Sequence, residues 1–424
     1  MQLEPTLPPT PVRARLKAAT CMLLASVAPM AHGADTPASP STQVEVSGLL
    51  YSERITVFEP TVRFTRLYPS GRSFFGMFTL DTITGASPNG TLPTGQTQTI
   101  TSASGRTGTV SANQLPMTKF SDHRFALEGG WQQPVKMFNF SIGGHISHEK
   151  DYQSLGINGG LSVDLNHKLT NLSVAAGYNN DTVSPVGVGG TSVGLSPPGT
   201  LSGVLDNPKH VTSWVFGASQ VMSKRWLMGL SVSLTPEKGY LTDPYKVLSV
   251  VDGKTGVPVS QLTEQRPDTR NRRSVQANSV YHFTSNILYL SYRHYWDDWG
   301  VSSETLDAKY RIPTGDSSYL EPHVRFYTQT AADFYKFGLI KGQPLPTYAS
   351  TDYRLNAMQG VTVGATYGFR PSGRVAGPEW TVRAEYLGQY GNSYPAAAVG
   401  VQQRFDLFPT VNVVSIVLSY KFNR

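Results

Sequence analysis

The feature that most constrains this chain is an alternation of apolar and polar side chains, which recurs from near residue 44 to the C-terminal segment. In one such segment Leu155, Ile157 and Leu161 alternate with small or polar residues, and residues 226–235 follow the same pattern. Successive side chains of a β-strand point to opposite faces, so each segment has one apolar and one polar face. Repeated segments of this kind, separated by turns, are typical of a membrane-spanning β-barrel.

The connections between these segments fall into two classes that alternate along the chain. Short turns such as 166–168 and 223–225 alternate with long segments such as 83–119 and 237–273, with two short exceptions expected near 59–60 and 297–298. Outer-membrane barrels sort short turns and long loops to opposite ends in this way. We therefore predict an all-β, up-and-down, antiparallel transmembrane β-barrel of about 16 strands (range about 14–18), with short periplasmic turns, long extracellular loops and periplasmic termini.

The N-terminal segment has the properties of a secretory signal peptide. Arg13 and Lys17 precede a short apolar stretch, and small residues allow cleavage between Gly33 and Ala34. Cys21 lies inside this segment, which excludes a disulfide framework in the mature chain. We expect secretion to the outer membrane of a Gram-negative bacterium. The expected divisions are a signal peptide at residues 1–33, a disordered linker at 34–43 and an outer-membrane β-barrel at 44–424.

Aromatic residues lie near both ends of the expected strands. Amphipathic rings favour the headgroup region of a bilayer, so we expect two aromatic girdles. The residues assigned to the periplasmic girdle are Trp131, Trp226, Phe283, Tyr319, Trp380 and Phe422, and those assigned to the opposite girdle are Tyr152, Tyr178, Tyr240 and Tyr390.

The charge of the chain does not indicate nucleic-acid binding. The formal net charge is +7, but no recognisable RNA- or DNA-binding module accompanies it. The densest basic run, residues 266–273, lies in an expected loop, where we interpret it as a solvated charge cluster. We therefore expect no nucleic-acid partner.

No motif indicates catalysis. The chain lacks G-x-S-x-G, H-E-x-x-H and P-loop patterns. His145 and His148 are three residues apart on one expected strand, so they lie on opposite faces and do not chelate one metal together. We predict no enzyme activity, no catalytic residues, no metal and no cofactor, and we keep an outer-membrane lipase or protease only as a third hypothesis.

The face opposite the apolar stripe carries charged residues that we assign to the lumen. About sixteen strands is the size at which porins leave an aqueous channel, although a long loop such as 83–119 can fold inward and close it. Our leading hypothesis is a porin-like channel for small polar solutes, in which Arg293, Arg325 and Arg383 contact the solute. The candidate lumen-lining residues are Arg124, Glu128, Asp164, Arg293, Asp307, Lys309, His323, Arg325, Arg383 and Glu385.

Five segments near the expected extracellular ends resemble, as an ordered set, a bacterial outer-membrane β-barrel family defined only as a domain of unknown function. The resemblance covers nearly the whole mature chain and implies the fold and the location, but it implies no substrate. The segments are Ile83-Thr84-Gly85-Ala86-Ser87-Pro88-Asn89-Gly90, Glu149-Lys150-Asp151-Tyr152, Gly239-Tyr240-Leu241-Thr242-Asp243-Pro244-Tyr245-Lys246, Tyr295-Trp296-Asp297-Asp298-Trp299-Gly300 and Ala331-Ala332-Asp333-Phe334-Tyr335.

These segments support an alternative hypothesis, in which a non-conducting scaffold docks a partner or ligand through its extracellular loops. The candidate loop site consists of Asp243, Tyr245, Asp297 and Asp298. Together with Asp81 and Asp333, its carboxylates would form an oxygen-rich cluster suited to Ca²⁺, or they simply end strands and knit loops together. The expected partners are outer-membrane lipid, lipopolysaccharide and the outer-membrane assembly machinery, and the sequence identifies no specific protein partner.

Overall fold

The computed structural model describes residues 40–52, 54–96, 98–101, 107–110, 115–186, 194–198, 205–371 and 377–423. The predicted signal peptide and most of the predicted linker lie outside these residues. Within them, no helix is long and apolar enough to cross a membrane. The strands are β1 (Ser41–Ser52), β2 (Ile55–Leu67), β3 (Ser73–Pro88), β4 (Gln98–Thr101), β5 (Thr107–Val110), β6 (Met117–Val135), β7 (Phe138–His148), β8 (Tyr152–Leu165), β9 (Thr170–Val183), β10 (Asn207–Ser223), β11 (Trp226–Gly239), β12 (Val247–Val251), β13 (Pro258–Thr263), β14 (Thr269–His282), β15 (Ile287–Asp297), β16 (Ser302–Pro313), β17 (Ser318–Gln329), β18 (Leu339–Ile340), β19 (Met358–Phe369), β20 (Glu379–Gly391) and β21 (Val411–Asn423).

Sixteen of these strands form a closed barrel in the order β1, β2, β3, β6 to β11, β14 to β17 and β19 to β21. Neighbouring strands are antiparallel, and the barrel closes where β1 pairs with β21, with Val44 opposite Phe422. The prediction of an up-and-down antiparallel barrel of about 16 strands is confirmed. The first strand begins at Ser41, so residues 41–43, which we expected in the linker, belong to the barrel.

The outer face of the barrel is apolar. Leu155 and Ile157 on β8 are 59% and 58% exposed. Many other large apolar side chains of this face are also exposed, with smaller exposed fractions. In water such a continuous belt would be strongly unfavourable, whereas in a bilayer it contacts lipid. The chain is therefore a transmembrane β-barrel.

The aromatic girdles form only in part. Trp131, Trp226 and Trp380 lie on the exposed outer face near the short turns, as predicted. Tyr152 is 2% exposed and points inward, where its hydroxyl group donates to Asp181. Tyr319 also points inward and donates to Glu379, so the prediction was wrong for these two tyrosines. Strand position alone does not give the side on which a strand-end ring lies.

Some predicted boundaries differ from the structure. Residues 59–60 lie inside β2, because β1 ends at Ser52 and β2 begins at Ile55. Our predicted strand at 352–368 begins only at Met358, because Tyr353–Leu355 form a short 3-10 helix capped by the side chain of Asp352. At the short turns, Asn166, His167 and Lys168 have positive φ, the left-handed conformation that tight turns require.

Four long connections on the loop end fold together into what we call the cap, which comprises the described residues of 89–116, 240–268, 330–357 and 392–410. It contains a three-stranded sheet in the order β13, β12, β18, in which all five residues of β12 are buried. Gln402 is fully buried and donates to the carbonyl oxygens of Pro93 (2.8 Å) and Gly256 (2.7 Å), which joins three of the four loops. The cap therefore has a core of its own.

The cap occupies the mouth of the barrel. At the loop ends of β2 and β21, the inward side chains Val57 and Val413 are apolar and almost fully buried. They belong to one hydrophobic cluster with Tyr353 and Phe408 of the cap. Inward apolar residues at a barrel rim would otherwise contact water, so their burial holds the loops in the opening.

Candidate functional site

The structure places all ten candidate lumen residues on the inward face of their strands. They alternate with exposed apolar neighbours, as Arg325 does with Phe326 and Arg383 does with Val382. Contacts also join inward side chains of strands that are not adjacent, such as His323 on β17 and Glu385 on β20. Such contacts form on the concave side of a curved sheet, where side chains converge.

A histidine held between two carboxylates lies on this inner face. His323 Nδ1 is 2.8 Å from Glu385 Oε1, and His323 Nε2 is 2.8 Å from Asp307 Oδ2. The contact to Glu385 crosses the intervening strand at Gly364, which is in register with both residues. A Cβ atom at Gly364 would lie 2.5 Å from Glu385 Cγ, so the glycine leaves the space through which the two side chains meet.

Basic side chains surround this histidine. Arg383 Nε lies 3.8 Å from Glu385 Oε1. Lys309 is opposite His323 in the β16–β17 ladder, and Arg325 is opposite Asp307. Within the described residues, neither Lys309 nor Arg325 forms an ion pair. This part of the wall therefore presents more positive than negative charge to the lumen.

The strands at the start of the chain line the lumen with carboxylates. Arg124 Nε lies 3.4 Å from Asp81 and its Nη2 lies 3.6 Å from Glu59, so one arginine contacts two acids. Asp164 accepts a hydrogen bond of 2.7 Å from Asn171, a neutral donor. Glu128 forms no ion pair with any described residue. The negative charge here is only partly balanced.

The basic run at 266–273 is not a solvated cluster, so this interpretation was wrong. Arg270 and Arg272 lie on the inward face of β14, and Arg270 contacts Asp297 at 2.5 Å. Arg272 forms an ion pair with Glu237. Arg266 is 4% exposed and lies inside the cap. Three arginines of the run therefore have buried carboxylate partners that are distant in sequence.

The centre of the cap is a buried ion network. Arg354 donates to both Asp352 and Asp243, the latter at 3.0 Å. Arg266 lies 2.6 Å from Glu264 and 3.0 Å from Asp352, so Asp352 links the two arginines. All five side chains are nearly inaccessible to water. Buried charges of this kind require partners, because an unpaired charge in a dry interior is very costly.

The pKa values of this network follow from burial and pairing. Burial opposes ionisation of Asp352, but Arg354 and Arg266 outweigh it and hold the pKa of Asp352 far below its usual range. Burial raises the pKa of Glu264 despite its contact with Arg266. Burial likewise lowers the pKa of Lys246, although the Asp352 and Asp243 carboxylates oppose this shift. The Lys246 ammonium group donates to the carbonyl oxygen of Pro88, which ties the network to the end of β3.

The four residues of the candidate loop site do not form one exposed site. Asp243 is 5% exposed and belongs to the buried network, and the Tyr245 hydroxyl group donates to Asp151 at 2.8 Å. Asp297 accepts from Arg270 and from the backbone N–H groups of the following turn. Asp298 accepts from the backbone and side chain of Asn271. Each residue therefore holds loops together through contacts within the protein, which was the alternative to a Ca²⁺ site.

The structure brings together a different group of acids, which the sequence did not reveal. Carboxylate oxygens of Asp122, Glu149 and Asp151 lie within 4.8 Å of one another at the loop ends of β6 and β7. Glu149 and Asp151 are buried, and Asp122 is half-buried. The two segments are separate in sequence, so only the register of β6 and β7 brings them together.

Comparisons with known proteins identify a family and similar folds. Residues 13–422 match the profile of a family described as "Protein of unknown function (DUF3570)". No curated protein sequence matches this chain significantly. The structure of the outer membrane protein OpdK from Pseudomonas aeruginosa is similar with a TM-score of 0.40 and 7% identity, over 91% of this chain and 99% of that chain. OccK3 (OpdO) from the same organism gives a TM-score of 0.41 and 6% identity, over 92% of this chain and 97% of that chain. CdiB from Acinetobacter baumannii gives a TM-score of 0.44 and 7% identity, over 91% of this chain and 60% of that chain.

Proposed function

Because this chain belongs to the protein family of unknown function DUF3570, whose description assigns no activity, we propose its function from its geometry. It is a porin-like channel for small polar solutes in the outer membrane of a Gram-negative bacterium. The observation that carries this proposal is a closed sixteen-strand barrel with an apolar outer face and a charged inner face. Barrels of about 16–18 strands are wide enough to leave an aqueous channel.

The cap sets the size of solute that passes. Tyr353 and Phe408 fill part of the mouth against inward residues of β2, β3 and β21. Solutes must therefore pass beside a folded cap with its own core rather than through an open ring of strands. We therefore expect small hydrated solutes to pass and larger chains such as oligosaccharides to be excluded.

An enzymatic role has less support. Among the described residues, the serine–histidine contact that comes nearest to a nucleophile and base joins Ser154 and His145, with 3.2 Å between Oγ and Nε2. Ser154 donates to Asp181 at 2.7 Å, so the carboxylate holds the serine instead of orienting the histidine. Activation of a serine needs the opposite arrangement, with the acid hydrogen-bonded to the far nitrogen of the base.

A docking scaffold also has less support, because the loop residues proposed for docking are engaged within the protein. Asp243 and Asp297 are buried in ion pairs, so neither is available to a partner. The expected lipid, lipopolysaccharide and assembly-machinery contacts remain part of the proposal and follow from the apolar belt.

Single-channel recording in a planar bilayer tests the proposal directly. The mature chain from Ala34 is refolded and added to the bilayer, and stepwise current is the expected result. A folded, heat-stable barrel that never conducts would refute the channel. N-terminal sequencing of protein from outer-membrane fractions checks the cleavage site, and a mature N-terminus elsewhere than Ala34 would refute the predicted division.

A further inference from the structure

The charges on the inner wall are separated into two opposite halves of the barrel. The first eight strands, β1 to β3 and β6 to β10, present seven inward carboxylates but only three inward basic side chains. The basic residues of this half are Arg63, Arg124 and Lys209. With histidines left aside, this half of the wall is acidic.

The second eight strands, β11, β14 to β17 and β19 to β21, have the opposite balance. They present eight inward basic side chains, among them Lys309, Arg325 and Arg383, against six inward acids. In a closed barrel, two contiguous sets of eight strands face each other across the lumen. The sum over the whole wall is therefore close to neutral, although the two sides differ in sign.

Local pairing does not remove this separation. In the acidic half, Asp181 accepts from the hydroxyl groups of Tyr152 and Ser154 and has Lys209 opposite it in the β9–β10 ladder, but the other six inward carboxylates of this half face only two basic side chains. Glu128 on this side has no ion-pair partner among the described residues, and neither has Arg325 on the basic side. Charges without a close counter-charge contribute to the field across the water between the walls.

We propose that the lumen selects small zwitterionic solutes, which carry a positive and a negative group on one molecule. This inference rests on the proposed channel function and adds the solute class to it. A zwitterion aligned across the lumen places its ammonium group towards β1–β10 and its acid group towards β11–β21, so both ends are stabilised. A simple anion or cation is attracted by one wall and repelled by the other.

Liposome swelling with matched solutes tests the proposal. Taurine and isethionate differ only in an ammonium group in place of a hydroxyl group, and choline serves as the cation. With the unmodified protein, taurine should enter faster than isethionate and choline by roughly two- to fivefold, the effect of one weakly screened charge interaction. Equal rates for all three solutes would overturn the inference and leave the channel intact. No entry of any solute would overturn both.

A charge-swapped variant separates wall polarity from net charge. Glu128→Arg combined with Arg325→Glu leaves the net charge unchanged but reduces the difference between the walls. The taurine preference should fall towards equality in this variant. A retained preference would show that polarity is not the cause. If the double variant does not fold, Glu128→Gln and Arg325→Gln are measured separately, and each should reduce the preference in part.

Discussion

Substitution of Arg354 by alanine should open the cap while leaving the barrel folded. Arg354 is 6% exposed and donates to Asp352 and Asp243, both of which are themselves almost inaccessible to water. Without the guanidinium group, Asp243 loses its arginine, and Asp352 keeps Arg266 at 3.0 Å as its one arginine, together with the hydrogen bond from the backbone N–H of residue 354. The cap then contains uncompensated buried negative charge.

The size of the effect follows from this geometry. Breaking a buried ion pair by removing one partner costs about 3–5 kcal/mol, because the remaining charge is desolvated. Each 1.4 kcal/mol is a factor of about ten in an equilibrium constant, so local opening of the cap should become about a hundred- to a thousandfold more frequent. The barrel strands do not depend on this network, since their ladder hydrogen bonds and lipid contacts are unchanged.

Hydrogen exchange of the protein in lipid nanodiscs measures this opening segment by segment. Amides of β12 and β13 in the cap should lose protection by the stated factor in Arg354→Ala, and amides of barrel strands should not change. Arg404 is exposed on another cap loop, so Arg404→Ala is a matched control that should leave protection unchanged. A loss below tenfold, or an equal loss in barrel strands, would refute the view that the network stabilises the cap independently.

Three further predictions concern pH, the inner wall and selectivity. The pKa of Asp352 is lowered in the folded cap, so its ionisation stabilises the cap at pH values above the ordinary Asp pKa of about 3.9. This contribution is lost as the pH falls below that value. Hydrogen exchange between pH 3 and 6 should show cap stability decreasing with falling pH, and Asp352→Asn should remove this dependence. Gly364→Ala should displace Glu385 from His323, because the added Cβ would clash with the Ala384 carbonyl oxygen and lie 2.5 Å from Glu385 Cγ, and so push β20 away locally. An unchanged histidine NMR signal would contradict this contact. Arg325→Glu should shift the reversal potential towards cation selectivity, and an unaltered reversal potential would remove Arg325 from the conducting path. Asp298→Ala removes only exposed hydrogen bonds to Asn271 and should leave conductance unchanged.

The barrel was predictable because lipid contact imposes a pattern on every strand. Leu155 and Ile157 are apolar because they face lipid, and their neighbours are polar because they face the lumen. The alternation therefore gives both the strand and the face on which each residue lies. The prediction failed where lipid no longer acts. In the cap, residues 352–357 continue the alternating pattern, but Tyr353–Leu355 form a 3-10 helix there instead of a strand.

The site was predictable only as a set of inward positions. His323 and Glu385 are far apart in sequence, and only the register of three strands brings their side chains together across Gly364. The arginines of 266–273 were misread because their partners are equally distant. Arg270 and Arg272 are two residues apart, which is the spacing of one strand face, and this signal would have placed both on the inner wall.

The cap and the lumen use charge in different ways, which indicates where solute recognition takes place. In the cap, three acids (Asp243, Glu264 and Asp352) balance three bases (Lys246, Arg266 and Arg354), and all six are buried. A dry, balanced network has no free charge to offer a ligand, so its effect is confined to cap stability. On the inner wall, the charges are unbalanced within each half of the barrel, and Lys309 and Arg325 are only half-buried and form no ion pair with a described residue. Only the unbalanced charges of the inner wall produce an electric field across the solute path. Substitutions on the wall should therefore change selectivity, and substitutions in the cap should change the rate of passage.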